Sequence, residues 1–430
     1  MKQQIHQLMH SNRQLICFFI LFNSMAAFGQ VYTGPIAKPT SGYGSEGTYT
    51  LAIESFTNPN FPTENIRIYY PSGITSSVPT LFYSHGYGGS DPLHVIGLLS
   101  FFAKKGYAIV FVPYQTNGVS INDRYVNLTA GFRKAARDYP TIIDTTRVGF
   151  LGHSFGGGAT IGVSHTCFTE NNWGQNGRFI CPSAQWYSFN ITQTELQTFP
   201  LDTKMLTFIY TTDSVNDHRM ATEIFSNINI PSAEKDFIRV VPSTVSGYDY
   251  TTEHDMPTTY AAFDALDYYA YYRLIDALCD YTFNGSLAGK DVALGNGSTN
   301  QITMPSGMAN LLQTDMPVAV FPESIYGFKC SVLANPRQEY CNSNLTLTEA
   351  SLNDSQIFIF PNPALSSFSV RYPNQNFSLE ILDGSGSKIY EKNKITEQVI
   401  VSMETFPKGL YLVKMILENG DLLTEKLIKE

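Results

Sequence analysis

The stretch GHSFG at 152–156 places Ser154 between two glycines, directly after the apolar run at 148–151. A serine hydroxyl is a weak nucleophile unless a base takes its proton and a strand-to-helix turn projects it clear of a sheet. Such a turn is tight, so it needs small residues two positions before and after the serine, which the glycines supply. The pattern therefore predicts Ser154 as a nucleophile, against the alternative of a serine that only occupies a turn.

A histidine base and an acid should follow this serine along the chain, with the acid first. Asp213 ends the apolar segment 204–213, and Asp217 is the rival acid four residues further on. His254 follows the next apolar segment, where its Nε2 would meet Ser154 and its Nδ1–H would meet Asp213. We therefore predict Ser154, His254 and Asp213 as catalytic residues. The alternative is that both aspartates only cap the helix that follows.

Other histidines have simpler interpretations than catalysis. We expect His153 to pack inside the turn and His85 to support the glycine-rich loop that follows it. His94, His165 and His218 stand alone in helical or loop patterns, and we expect them to be structural.

The glycine-rich loop at 84–91, with the sequence SHGYGGSD, follows an early apolar strand pattern. The tetrahedral intermediate of acyl transfer carries an oxyanion that needs preorganised N–H donors. One donor should be the backbone N–H of Phe155, directly after the serine, and the other should come from this loop. We predict the Tyr87 N–H as the second donor, because the glycines beside it let the backbone approach a substrate.

Apolar strand patterns alternate with helical patterns up to about residue 285. This alternation is typical of an α/β fold, in which helices wrap a mostly parallel sheet. The predicted strands are 47–57, 65–72, 78–86, 107–114, 147–154, 204–213 and 236–243, and the predicted helices are 92–106, 128–138 and 263–283. We assign no chemistry to residues 289–327.

The sequence changes character after about residue 345, where short alternating strands are separated by turn residues. The stretch SLEILDGSGSKIYE at 378–391 is typical of a hairpin. We predict a small β-sandwich domain at 355–430, joined to the rest of the chain by a polar linker at 341–354.

The N-terminus is typical of a secretory signal peptide spanning 1–29. Lys2 and Arg13 supply positive charge, and the apolar core at 15–22 is too short to span a bilayer. Small residues precede the expected cleavage after Gly29. The alternative is an uncleaved membrane anchor, and we expect no integral membrane segment after signal removal.

The cysteines and the net charge indicate which disulfides, metal sites and partners to expect. Because an exported protein can form disulfides, we predict Cys167–Cys181 and Cys330–Cys341, with Cys279 left over. No CxxC pair occurs, so we predict no metal site, and because the predicted triad chemistry needs no cofactor we predict none. The net charge of the 430-residue chain is −9 and no basic cluster occurs, which argues against a nucleic-acid partner.

The motifs HGYGG, GHSFGGG, TTDSVND and EHDMP occur in the order and spacing of α/β-hydrolases. Over about 47–285 the chain resembles the dienelactone-hydrolase-like branch, which includes platelet-activating-factor acetylhydrolases and cutinase-like polyester hydrolases. The resemblance implies an eight-stranded, mostly parallel sheet in a hydrolase domain at 30–340. It also implies a triad and an oxyanion hole formed by the residues predicted above.

Trp186 is a further residue to which the resemblance gives a role. In polyester hydrolases a tryptophan on the loop after the next strand stacks on the substrate, and Trp186 sits roughly there. The alternative is a core tryptophan, because the segment 167–181 is inserted before it.

The C-terminal motifs FPNPALSSFSV, KGLYLVKMILENG and EKLIKE resemble the type A sorting domain of type IX secretion. The resemblance covers about 355–430 and implies a Bacteroidota source, the type IX machinery as a partner and secretion or surface attachment. In that family the domain is usually removed after export. The alternative is a carbohydrate-binding or adhesive sandwich.

We therefore expect a secreted serine ester hydrolase that acts through an acyl-enzyme on an extracellular lipid, polyester or acylated glycan. One alternative is a noncatalytic surface or adhesion module on the same fold. Another is an acyltransferase or peptidase with the same triad, which the sequence does not distinguish from an esterase.

Overall fold

The computed structural model describes residues 31–256, 263–319, 326, 328–330, 335, 337, 358–360, 364, 366–384, 386–418 and 422–429. The chain forms two compact units, which divide between Ala319 and Val320. The predicted signal peptide at 1–29 and the predicted linker at 341–354 lie outside the described residues.

A nine-stranded sheet forms the centre of the first unit, in the order β1-β2-β4-β3-β5-β6-β7-β8-β11. The strands from β4 to β8 in this order run parallel, while β1, β2 and β11 are antiparallel at the two edges. The strands of the sheet are β1 Leu51–Thr57, β2 Asn65–Pro71, β3 Val78–Ser84, β4 Ala108–Phe111, β5 Ile143–His153, β6 Arg178–Ser183, β7 Lys204–Tyr210, β8 Lys235–Val240 and β11 Leu312–Thr314. A short hairpin, β9 Ser243–Val245 and β10 Tyr248–Tyr250, follows β8.

The predicted mostly parallel sheet is confirmed, with one strand more than the eight that the resemblance implies. The additional edge strand is β11, whose residues pair with Phe237–Arg239 of β8. It comes from the region 289–327, to which the sequence analysis assigns no chemistry. A strand of three residues is too short to give a recognisable sequence pattern.

The helices are α1 Ile96–Lys105, α2 Ile121–Asp138, α3 Phe155–Glu170, α4 Gln193–Leu196, α5 Arg219–Asn227, α6 Arg273–Asn284, α7 Leu287–Ala293 and α8 Thr299–Ile302. Helix α2 begins earlier than predicted because the Ser120 side chain accepts a hydrogen bond from the Asp123 N–H and caps it there. A π-helical turn, Leu266–Tyr272, leads into α6. None of the helices in the described parts of the chain is long and apolar enough to cross a bilayer.

Two hydrophobic clusters cover the two faces of the sheet. Neighbouring strand residues point to opposite faces, so Phe82 packs with α2 and α3 while Tyr83 packs with α1 and α6. In the described part of the first unit both faces are therefore covered by helices. This explains why the central strands β3, β4, β6 and β7 are buried along nearly their whole length.

The predicted Cys167–Cys181 disulfide is wrong. Both thiols are free and buried, and Cys167 belongs to one hydrophobic cluster while Cys181 belongs to the other. They lie on opposite faces of the sheet, so the short separation in sequence does not bring them together. Cys279 is free, as expected. Cys330 is disulfide-bonded, and Cys341, its predicted partner, lies outside the described residues.

The second unit is an antiparallel sheet of five strands around its own apolar core. Its strands are β12 Phe358–Phe360, β13 Ser367–Leu382, β14 Lys388–Ser402, β15 Gly409–Leu417 and β16 Leu422–Lys429. The predicted all-β domain is confirmed, and its described strands are linked to one another by hydrogen bonds. Strand β13 pairs with β12 near its start and with β15 near its end.

Candidate active site

Ser154 lies on the sharp turn between β5 and α3, with φ +56° and ψ −124°. A positive φ costs a non-glycine residue roughly 1–3 kcal/mol, so the surrounding contacts must hold this conformation. Side chains at Gly152 and Gly156 would overlap backbone, that of Gly156 and that of Ser84 respectively. The two glycines of the sequence pattern are therefore required by close backbone approach.

The side chains of Ser154, His254 and Asp213 form one hydrogen-bonded chain. The His254 Nε2 lies 2.9 Å from the Ser154 Oγ, and the His254 Nδ1 lies 2.9 Å from the Asp213 Oδ2. Asp213 follows β7, and His254 follows the hairpin β9–β10. The structure thus brings together three residues that lie far apart in sequence.

Hydrogen bonds stabilise the charged form of the Asp213 carboxylate. Its Oδ1 accepts hydrogen bonds from the N–H groups of Val215, at 2.8 Å, and Asn216, at 3.0 Å. Burial raises the pKa of Asp213, but the hydrogen bond and charge of His254 and these two amides outweigh it and lower the pKa below its usual value.

Asp217, the rival acid, is engaged elsewhere. Its Oδ2 lies 2.7 Å from the Arg219 Nη2, and its Oδ1 accepts a hydrogen bond from the Arg219 Nε at 2.9 Å. Both side chains are buried. The pair therefore stabilises the start of α5, and of the two candidates Asp213 is the one that contacts His254.

The predicted oxyanion donors lie on two sides of Ser154. Phe155 is the first residue of α3, so its N–H belongs to the positive end of that helix. In the loop 84–91, a side chain at Gly86 would lie 3.2 Å from the Ser154 Cβ, so the loop backbone approaches the serine closely. Within the part of the chain that the structure describes, neither the Phe155 N–H nor the Tyr87 N–H donates a hydrogen bond to the protein. Both are free for a ligand.

His85 holds the glycine-rich loop, as expected from the sequence. Its Nδ1 donates to the Gly86 carbonyl at 2.7 Å, and its Nε2 accepts from the Tyr114 N–H at 3.1 Å. Burial lowers the pKa of His85 to about 4, so the ring stays neutral near pH 7. The loop also rests on Thr116, whose hydroxyl accepts a hydrogen bond from the Gly88 N–H at 3.2 Å.

His153 does more than pack, and sequence reasoning missed this. Its Nε2 lies 2.6 Å from the backbone carbonyl oxygen of His254, which can only accept, so the Nε2 donates. Burial and the neighbouring His254 lower the pKa of His153 to about 3, so the ring is neutral. The residue before the nucleophile thus holds the segment that carries the candidate base. No local pattern reveals this contact, because the two residues lie far apart in sequence.

A cavity of about 370 Å³ opens above Ser154 and His254. Its walls are formed by the glycine-rich loop at 84–91 and by the short helical turn Pro92–Val95 that precedes α1. The lining also includes Tyr83 and Asp255, and His94 and Val95 are the residues of the turn that contribute to it. His94, which the sequence predicts as structural, therefore faces the cavity.

Trp186 is not among the described residues that line the cavity. Its ring is partly buried against the cluster that contains Phe82, and its backbone N–H donates to the Ser154 backbone carbonyl at 2.8 Å. The predicted contact between Trp186 and substrate stays a prediction.

The described residues contain no group of three or more His, Cys, Asp or Glu side chains that could hold a metal ion. What the arrangement can do chemically is transfer a proton from the Ser154 hydroxyl to the His254 Nε2, which lies 2.9 Å away.

Comparison with known proteins identifies the second unit. Residues 358–430 match the model of the secretion system C-terminal sorting domain. The chain carries a type IX secretion sorting domain. The predicted type IX sorting domain is confirmed, and this domain directs the chain through the type IX system to the cell surface or the extracellular space. The domain also implies an interaction with the type IX machinery. No curated protein matches the chain.

Proposed function

We propose that the first unit is a serine ester hydrolase of the α/β-hydrolase fold, which acts outside the cell. The observation that carries the proposal is the hydrogen-bonded chain from Asp213 through His254 to Ser154, with both distances at 2.9 Å. A serine in a strained strand-to-helix turn, followed in the chain by an acid and then a histidine, supports the same conclusion.

The hydrogen-bond partners of His254 determine which of its ring nitrogens carries the proton. The Asp213 carboxylate accepts, so the His254 Nδ1 carries a hydrogen, and the His254 Nε2 is left to accept the Ser154 hydroxyl proton. Asp213 thereby fixes the tautomer of the ring and stabilises the imidazolium that forms when the proton moves.

The reaction would proceed through an acyl-enzyme. The Ser154 Oγ attacks the ester carbonyl carbon while His254 takes its proton, and the carbonyl oxygen becomes an oxyanion held by the N–H groups of Phe155 and Tyr87. His254 then protonates the leaving alcohol as the ester C–O bond breaks. A water attacks the acyl-enzyme in the same way, with His254 again as base, and Ser154 is regenerated.

The size of the cavity bears on the substrate. About 370 Å³ lies near the lower end of the roughly 300–1,000 Å³ of ligand pockets, which suits a short acyl group or one end of a larger molecule. An extracellular lipid, polyester or acylated glycan would then leave its remaining part at the surface.

Hydrolysis of p-nitrophenyl esters from acetate to palmitate tests the proposal. We expect turnover that Ser154→Ala abolishes and that Ser45→Ala, a change at a loop serine whose hydroxyl donates to the Gly42 carbonyl, leaves intact. Labelling of Ser154 by a fluorophosphonate gives an independent readout. A folded protein that hydrolyses no ester would direct the search to peptides and acyl transfer, and failure there would favour a noncatalytic module.

A further inference from the structure

Arg124, in the second turn of α2, lies between the side chains of the two predicted oxyanion donors. Its Cζ is 5.2 Å from the centre of the Tyr87 ring and 5.2 Å from the centre of the Phe155 ring. Of these two residues Tyr87 lines the cavity above Ser154, and Arg124 itself does not, so the guanidinium lies one side chain away from the cavity, at the Tyr87 ring.

The charge of Arg124 has no counter-ion in the described parts of the chain. No carboxylate lies within ion-pair distance there, and the buried Nε has no hydrogen-bond acceptor. The other cations of α2 differ, because each lies in an ion pair: Arg133 with Glu170, and both Lys134 and Arg137 with Asp138.

A guanidinium in this position can bind an anion. It carries five N–H donors, and aromatic faces attract its charge without accepting those hydrogens in line. Tyr125, the next residue of α2, is aromatic as well. Burial raises the pKa of Tyr125, and the positive charge of Arg124 opposes that rise. Within the described residues no carboxylate pairs with Arg124, so an anion at this position would have to come from a ligand.

We propose that Arg124 binds a carboxylate of the substrate, so that the site prefers esters which carry a free carboxylate near the scissile bond. The inference rests on the proposed esterase function and names the substrate class for it. The planar fork of a guanidinium matches a carboxylate in two parallel hydrogen bonds, which a lysine ammonium does not reproduce.

A matched pair of esters tests this proposal. We would measure kcat/KM at pH 8 for 4-nitrophenyl hydrogen glutarate, which has a free carboxylate, and for 4-nitrophenyl methyl glutarate, its neutral counterpart. A second pair, 4-acetoxybenzoate and its methyl ester, puts the carboxylate on the alcohol side instead of the acyl side. Both pairs are assayed with the wild-type chain, Arg124→Met and Arg124→Lys. Arg137→Met, which removes an exposed cation of the same helix, is the control.

We expect the charged-to-neutral ratio of kcat/KM to fall by about tenfold to a hundredfold in Arg124→Met for one of the two pairs, the range of a hydrogen bond to a charged group. Arg124→Lys should recover only part of the ratio, and Arg137→Met should keep the wild-type value. Free glutarate should compete with the neutral ester in the wild-type chain and lose that effect in Arg124→Met.

Equal losses on charged and neutral esters would overturn the inference, because Arg124 would then only hold the two rings in place. Wild-type hydrolysis with no loss of the ratio in Arg124→Met would overturn it too, while leaving the proposed function intact. No hydrolysis of any of the four esters would overturn both.

Discussion

Replacing His153 should impair turnover rather than binding, because this residue touches the segment that carries the base. His153→Leu fills the space of the ring but removes the Nε2–H that donates to the His254 carbonyl at 2.6 Å. His153 is only 4% exposed, so the carbonyl would lose its partner in a buried place, at a cost of roughly 1–3 kcal/mol.

The lost hydrogen bond can lower the free energy of unfolding, or it can displace the segment that carries His254. If the segment keeps its position, the whole penalty appears as a lower free energy of unfolding. If the segment moves to find water, the His254 ring moves with it, and a displacement of about 1 Å can cost about a hundredfold in rate. We expect kcat to fall by about tenfold to a hundredfold, with KM changed by less than about threefold.

The assay is the hydrolysis of a p-nitrophenyl ester by the wild-type chain, His153→Leu and His153→Gln, together with unfolding by urea. The glutamine amide can donate to the same carbonyl, so His153→Gln should recover most of kcat. Because the pKa of His153 is lowered to about 3, its ring is uncharged at ordinary assay pH, and the acidic limb of the pH–rate profile should not move in either variant. A kcat within twofold of wild type in His153→Leu, or no advantage of glutamine over leucine, would refute the reasoning.

Four further substitutions distinguish residues of the candidate site from residues that stabilise the fold. Asp213→Asn should lower kcat by about a thousandfold to ten-thousandfold because it disturbs the tautomer of His254, whereas Asp217→Asn should mainly lower stability, by about 3–5 kcal/mol, because it breaks a buried pair with Arg219. Ester kinetics and urea unfolding distinguish the two, and similar kinetic losses in both variants would contradict the assignment. Gly156→Ala should lower both the melting temperature and the yield of active enzyme, because the added methyl group overlaps the Ser84 carbonyl; a fully active variant would contradict this. Burial raises the pKa of Asp264 to about 6 from 3.8, so the stability that this group contributes is complete below about pH 4, is lost as the pH rises from about 4 to about 6, and stays lost above that, by up to about 1–3 kcal/mol. Asp264→Asn should therefore gain stability relative to wild type at pH 8 but not at about pH 3.5; a gain of equal size at both pH values in thermal unfolding would exclude this origin.

The sequence predicts the candidate triad because each member follows an apolar strand, and the carboxyl ends of parallel strands meet at one edge of a sheet. Asp213 and His254 could thus be chosen from position and order alone. The structure places the carboxylate of Asp213, which lies closer to the end of its strand than Asp217, against His254.

Contacts between distant elements are what the sequence does not reveal. The hydrogen bond from His153 to His254 and the position of Arg124 between two rings depend on how α2, α3 and the loops pack. The wrong disulfide has the same origin, because proximity along the chain says nothing about which face of the sheet each cysteine occupies. Short edge strands such as β11 are missed because three residues give no periodicity.

The free thiols of Cys167, Cys181 and Cys279 have a consequence for how an exported chain reaches its native state. Burial raises the pKa of Cys167 to about 12 and that of the other two well above their usual range, so the reactive thiolates are scarce once the sheet is covered. Before that point the same thiols are exposed in a compartment that favours disulfides. Folding of the first unit and oxidation therefore compete in time, and the native thiols survive only when the helices close over the sheet before an oxidant arrives.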